Sequence, residues 1–127
     1  MTRVQADVVP ATVDYLDVQN LGAEVRTNVP ETWTTENGPL LIVADDGGSA
    51  IWPVKSRHTI RLTAWAIGRT QARAIVALAA GKLGDGRPDG VANVERDMGG
   101  ILDARDPATG AMLASALVYM HARTVDV

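Results

Sequence analysis

From Ser56 to Ala66 the chain alternates without a break, and this run limits the possible folds more than any other. His58, Ile60, Leu62, Ala64 and Ala66 fall on one side, and Arg57, Thr59, Arg61, Thr63 and Trp65 on the other. A period of two belongs to a β-strand, whose successive side chains point to opposite faces. A strand this long with one apolar face needs sheet partners beside it and a layer over that face. Its other face is too polar for a core and stays open to solvent or to a partner.

The remaining elements are read around this strand. Asp7 to Asn20 predicts a helix with Val9, Val13 and Leu16 on one face, Asp7 as N-cap and Pro10 in the first turn, where proline is tolerated. Gly22 stops it. Ala23 to Val29 alternates as a half-buried strand, with Ala23, Val25, Thr27 and Val29 together. Pro30 to Gly38 reads as a loop holding Trp33. Leu40 to Ala44 is apolar throughout, as in a central strand covered on both faces, and Asp45-Asp46-Gly47-Gly48 ends it with turn chemistry. Arg69 to Leu83 is a helix burying Ala72, Ile75, Val76, Ala79 and Leu83, followed by a turn at Gly84 to Gly90. Val91 to Leu102 holds a strand that Gly99-Gly100 interrupts with a bulge or corner. Asp106 to Gly110 is a hairpin loop, and Ala111 to Val125 a long last strand with Met112, Ala114, Ala116, Val118, Met120 and Ala122 on its apolar face. The order α-β-β-β-α-β-β predicts an α+β fold: a mostly antiparallel sheet with two α-helices packed on one face, in a single domain spanning residues 1–127.

Composition narrows the function classes. Twelve Lys and Arg against fifteen Asp and Glu leave a net charge of −3, without the basic footprint of a general nucleic-acid binder. With no cysteine there is no disulfide, thiolate metal site or cysteine nucleophile. No apolar stretch approaches the ~20 residues that span a bilayer, and the N-terminus lacks the apolar core of a signal peptide. The expectation is folding in the cytoplasm where the chain is made.

Sites with chemistry are few. His58 and His121 lie inside predicted strands, where a pair across a sheet can hold a metal or relay a proton; the plainer reading makes one a core residue and the other an exposed one. Asp45-Asp46 suits a cation or acid–base pair, or simply a polar turn. The loop from Asp85 to Asp89 lacks the alternating ligands and closing glutamate of a calcium loop. Neither glycine pair has phosphate-cradle spacing, and no serine has an adjacent histidine. Arg57, Arg61 and Trp65 share a strand face, suited to stacking and charge on a single-stranded nucleic acid, or to a partner protein. Trp33 and Trp52 flank loops, either as anchors for a partner or as plugs on the domain's own core. Phenylalanine is absent, so three tryptophans carry most of the aromatic packing. No catalytic residue, cofactor site or metal site is predicted.

The order of these segments resembles the tail-terminator (tail-completion) proteins of long-tailed bacteriophages, especially those of actinobacterial hosts. The resemblance runs through Tyr15-Leu16, Val25-Arg26-Thr27-Asn28-Val29-Pro30, Pro39-Leu40-Leu41-Ile42-Val43 with Gly47-Gly48 behind, and the Ala-rich helix Ala72 to Leu83. It continues in Val94-Glu95-Arg96-Asp97-Met98-Gly99-Gly100, Asp106-Pro107-Ala108-Thr109-Gly110 and the ending His121-Ala122-Arg123. It implies a small α/β protein assembled as a hexameric ring of identical subunits. The ring caps the finished tail tube, stops its polymerisation and meets the neck at the head-proximal end of the tail. It is a virion protein with no catalytic residue. Its partners are itself, the tail-tube protein and a neck or head-completion protein, with no membrane. Genomic DNA passes through the bore without specific binding. On this reading Trp33, Trp52, Arg57, Arg61 and Trp65 are candidate protein–protein contacts. Some of Asp45, Asp46, Asp85 and Asp89 face the bore, where negative charge repels DNA. The alternatives are a head-completion or neck connector, a small enzyme or ligand-binding α+β domain, and a nucleic-acid-binding module using Arg57, Arg61 and Trp65.

Overall fold

The computed structural model describes residues 1–127. In chain order the elements are β1 (Arg3–Val4), α1 (Val9–Asp17), β2 (Glu24–Arg26), a 3-10 turn (Thr35–Asn37), β3 (Leu40–Asp45), β4 (Ala50–Ile51), β5 (Lys55–Ala66), α2 (Arg69–Gly84), β6 (Asn93–Val94), β7 (Leu102–Arg105), β8 (Met112–Arg123) and β9 (Val125–Asp126). The fold is α+β, with two helices and a mostly antiparallel sheet, as the sequence pattern predicts. The main sheet runs β2-β3-β5-β8-β6, with β4 also on β5 and β7 also on β8; β2–β3 is its one parallel pair. β1 and β9 pair separately, joining the two ends of the chain. No helix is long and apolar enough to cross a membrane.

The spine is the antiparallel pair β5–β8, twelve residues each, in register from Lys55 opposite Arg123 to Ala66 opposite Met112. The apolar sides of both strands face the helices. Ile60, Leu62, Ala64 and Ala66 meet Ala114, Ala116, Val118 and Met120 in a core that also takes Leu16 from α1. α2 contributes Ala72, Ile75, Val76, Ala79 and Leu83, the five residues its periodicity marks. Alanines on both surfaces let the helix lie close to the sheet, where dispersion contacts are made.

Several expectations shift. α1 is shorter than Asp7–Asn20 at both ends: Val8, not Asp7, is its N-cap residue and Val18 its C-cap, while the Asp7 carboxylate accepts the Val9 N–H at 3.1 Å from outside the helix. Its most buried residues are Thr12 and Leu16, with Val9 and Val13 at the margin. Thr12 is tolerated there because its hydroxyl donates to the Val8 carbonyl at 2.7 Å, satisfying the buried group locally. β2 covers only three residues of the expected Ala23–Val29 strand. It is an edge strand with one partner, and Val29 leaves it to pack on the opposite face beside Trp33.

Asp45 to Gly48 is not a reversing turn. β3 and β4 both run antiparallel to β5, pairing Asp45 with Ile60 and Ala50 with Ser56. Five steps on one side match four on the other, so the segment is a bulge carrying one extra residue. Gly47 has φ 86°, and a Cβ on Gly48 would collide with the Arg57 carbonyl. The true hairpin comes later, at Trp52–Val54 between β4 and β5. The strand expected over Val91–Leu102 is instead two short ones, β6 and β7, both on β8. Between them, Glu95 N–H bonds the Tyr119 carbonyl and Gly99 N–H the Leu117 carbonyl. Four steps there match two on β8, a bulge that runs up to the Gly99-Gly100 pair.

The core sets the first test. Leu62→Ala, at a site with no exposure, is expected to lower unfolding free energy by about 2–5 kcal/mol in a urea titration. Leu102→Ala, at an exposed site, is expected to change it by less than about 0.5 kcal/mol.

Candidate functional site

The sheet face away from the helices carries the candidate site. Alternation on β5 places Lys55, Arg57, Thr59, Arg61, Thr63 and Trp65 there. Their partners on β8 are Arg123, His121, Tyr119, Leu117, Ser115 and Leu113. This side stays half-exposed because it is too polar to recruit a second layer. One end is the exception: the Pro30–Gly38 loop folds over it and buries Trp33 against Leu40 and Ala111. Trp33 donates its indole N–H to the Gly38 carbonyl at 3.0 Å and meets Trp65 edge-on, centroids 5.9 Å apart. Of its two expected roles, Trp33 therefore takes the plug rather than the partner anchor. At 6% exposure it is buried and offers a partner little surface. Trp65 is half-buried against it.

Two shallow depressions cross the rest of the face. One of about 340 Å³ is lined by Gly99, Ile101, Leu102 and Leu117. The other, of about 280 Å³, is lined by Val29, Ile42, Ala44 and Trp65. Arg61 and Ser115 belong to both, so they form one largely apolar groove. Thr63 and Ser115 satisfy each other's hydroxyls across its floor at 3.0 Å. Arg61, half-exposed, pairs with Asp46 at 3.4 Å. At the far end of β5 the hairpin tip projects Ile51, Trp52 and Val54, each nearly 60% exposed. Three large apolar side chains on a two-strand tip are a surface that gains from being covered.

Both histidines find carboxylates distant in sequence. On the open face, Glu95 binds Arg57 through both oxygens, at 2.7 and 3.3 Å, and accepts the His121 Nε2–H at 2.8 Å. Arg57 also lies over the Tyr119 ring, 4.3 Å from its centroid. The Arg57 hydrogen bond is the largest influence on Glu95, with burial opposing it and His121 reinforcing it. Together they lower its carboxyl pKa from 4.5 to about 2. On the helix side, the Asp45 carboxylate accepts from His58 Nδ1 at 2.7 Å, and His58 Nε2 meets Ser56 Oγ at 2.7 Å. Since the carboxylate can only accept, Nδ1 carries the proton and a neutral ring takes the serine hydroxyl as donor. This is the order of groups in a hydrolytic triad. Here Ser56 is 2% exposed and lines none of the surface depressions, so no carbonyl reaches its oxygen. The relay satisfies buried polar atoms between β3 and β5.

The four aspartates do not form one cluster. Asp45 and Asp46 leave β3 on one side of the β5–β8 pair, and both are engaged, by His58 and Arg61. Asp85 and Asp89 lie on the other side, in the loop entering β6, exposed and without an ion pair. Glu95, Tyr119, Leu102 and the apolar neighbours of Trp52 are site residues that the sequence reading passed over. Glu95 sits in a polar stretch beside other charges, and only the β6–β8 pairing brings it to Arg57. The chain matches no protein-family model and no curated protein.

The Glu95 cluster has a pH signature. A depressed native carboxyl pKa contributes stability that is complete above the unfolded value near 4.5 and is lost as pH falls toward about 2. In urea titrations across that window, Glu95→Gln is expected to flatten the decline of stability relative to the parent chain. An unchanged slope would count against the cluster.

Proposed function

We propose that this chain is a structural virion protein of a long-tailed bacteriophage, the subunit of a hexameric ring that caps the tail tube.

 The ring is taken as a hexamer of identical subunits that ends tube polymerisation and joins the tail to the neck, with DNA passing through its bore. Alongside the resemblance set out above, one observation carries this reading. The chain has an apolar projection, the Ile51–Val54 tip, and a separate apolar groove along Ile101, Leu102 and Leu117. Two different patches that suit each other on one chain make head-to-tail contacts, and such contacts close into rings when the rotation allows. Trp52 would enter the groove of the next subunit, where Arg61 offers its guanidinium to the indole face. Asp85 and Asp89, the two of the four candidate aspartates without ion pairs, are the ones assigned to the bore, where an acidic lining lets DNA slide. The protein acts by assembly, with no catalytic residue and no cofactor, at the neck-proximal end of the tail. Its partners are further copies of itself, the tail-tube protein and a neck protein.

Electron microscopy of the chain mixed with polymerising tail-tube protein tests the role. The expected result is tubes that stop growing and carry a ring at one end. Tubes that grow unhindered, with bare ends, would overturn it and favour a neck or head-completion connector. Trp52→Ala is expected to remove the end-bound ring, because a central aromatic anchor is typically worth about 2 kcal/mol or more. Its urea midpoint should stay within error of the parent's, since Trp52 supports no core.

A further inference from the structure

On the open face, two successive rows of the β5–β8 ladder set basic residues opposite each other: Arg57 with His121, and Lys55 with Arg123. Like charges directly opposite destabilise a sheet. In the first row the chain supplies a bridging carboxylate, Glu95. The second row has none: neither Lys55 nor Arg123 has an ion pair. Most other arginines do, Arg3 with Asp126, Arg26 with Glu24, Arg61 with Asp46, and Arg69 and Arg73 with Asp103.

The unbridged row lines a depression of about 680 Å³ that also takes in Arg3, Asn93 and His121. Its size is in the usual range for a small-ligand site. Two acids border it, Glu95 on His121 at 2.8 Å and Asp126 held only loosely by Arg3 at 3.8 Å. A neighbouring depression shares Arg123 and adds Arg87 and Asp89. Beside this row, His121 keeps Nδ1 buried and without a hydrogen-bond partner, while Nε2 is committed to Glu95. With Nε2–H given to a carboxylate, Nδ1 of a neutral ring is an acceptor, so His121 borders the depression without donating into it. Three cationic side chains and an amide thus line one depression in a chain that is acidic overall.

We infer that the depression between Lys55, Arg123 and Arg3 binds a phosphate-type oxyanion, either free or as a phosphodiester of a nucleic-acid backbone. The anion takes the bridging place that Glu95 takes one row away. Arg123 and Arg3 donate charge-assisted hydrogen bonds, Lys55 supplies a point charge, and Asn93 adds a neutral donor. This inference does not rest on the ring reading.

Calorimetric titration at low ionic strength tests it, with inorganic phosphate and a short duplex DNA as separate probes. Saturable binding of phosphate alone identifies a free anion as the ligand; binding of the duplex identifies backbone phosphates. In either case the double variant Lys55→Gln/Arg123→Gln is expected to weaken binding about tenfold or more. The double variant Arg96→Gln/Arg105→Gln removes the same charge from exposed arginines without ion pairs, and should change it less than about twofold. Equal weakening by the two double variants, or no saturable binding of either probe, would overturn the inference.

Discussion

Everything in this molecule hangs on the β5–β8 ladder. It is the longest pairing in the fold, and each other element except the separate β1–β9 pair attaches to it or to a strand beside it. β3 and β4 line up on one flank, β6 and β7 on the other, and α2 lies across the middle. Because side chains alternate, one register fixes both faces at once. A slip by one residue would turn Leu62 and Val118 to solvent and carry Arg61 and Tyr119 into the core. Burial of the apolar face therefore holds in place a polar face whose own interactions are weak.

The two bulges give that regular ladder its special features. The extra residue between Asp45 and Ala50 keeps the chain on β5 after β3 ends, so that β4 can pair and the Trp52 tip can project. The same segment brings Asp45 to His58. On the other flank, the bulge between Glu95 and Gly99 delivers Glu95 to Arg57 and leaves Ile101 and Leu102 along the groove. Bulges commonly re-aim side chains next to functional surfaces. Gly99 is suited to its place because a Cβ there would sit only 3.2 Å from Leu117.

The parts of the fold legible in the sequence were those whose signal is repeated. The alternation of β5 and β8 runs long enough to exclude a helix, and the buried face of α2 matches its predicted residues one for one. The short strands were not legible. Two residues of β4 or β6 carry no period, and pairing with β5 or β8 alone makes them strands. Asp45-Asp46-Gly47-Gly48 has the residues of a turn, yet the same residues serve a bulge, since both need a glycine at positive φ. The candidate site was legible in part. Arg57, Arg61 and Trp65 were placed on one face by spacing, and Trp52 proved exposed. Trp33 was ambiguous because a tryptophan beside a loop can turn inward or outward, and only the packing of Leu40 and Ala111 decides.

By itself the sequence determined the secondary-structure class, the two long strands, the second helix and the division of the β5 face into charged and apolar sides. These follow from periodicity, which each segment carries alone. The tertiary structure decided which carboxylate meets which histidine, that the Lys55–Arg123 row lacks a carboxylate, and that the apolar tip and groove occupy separate elements. Those are relations between residues far apart in the chain. They exist only once the hydrophobic face of the ladder is buried and its register is set.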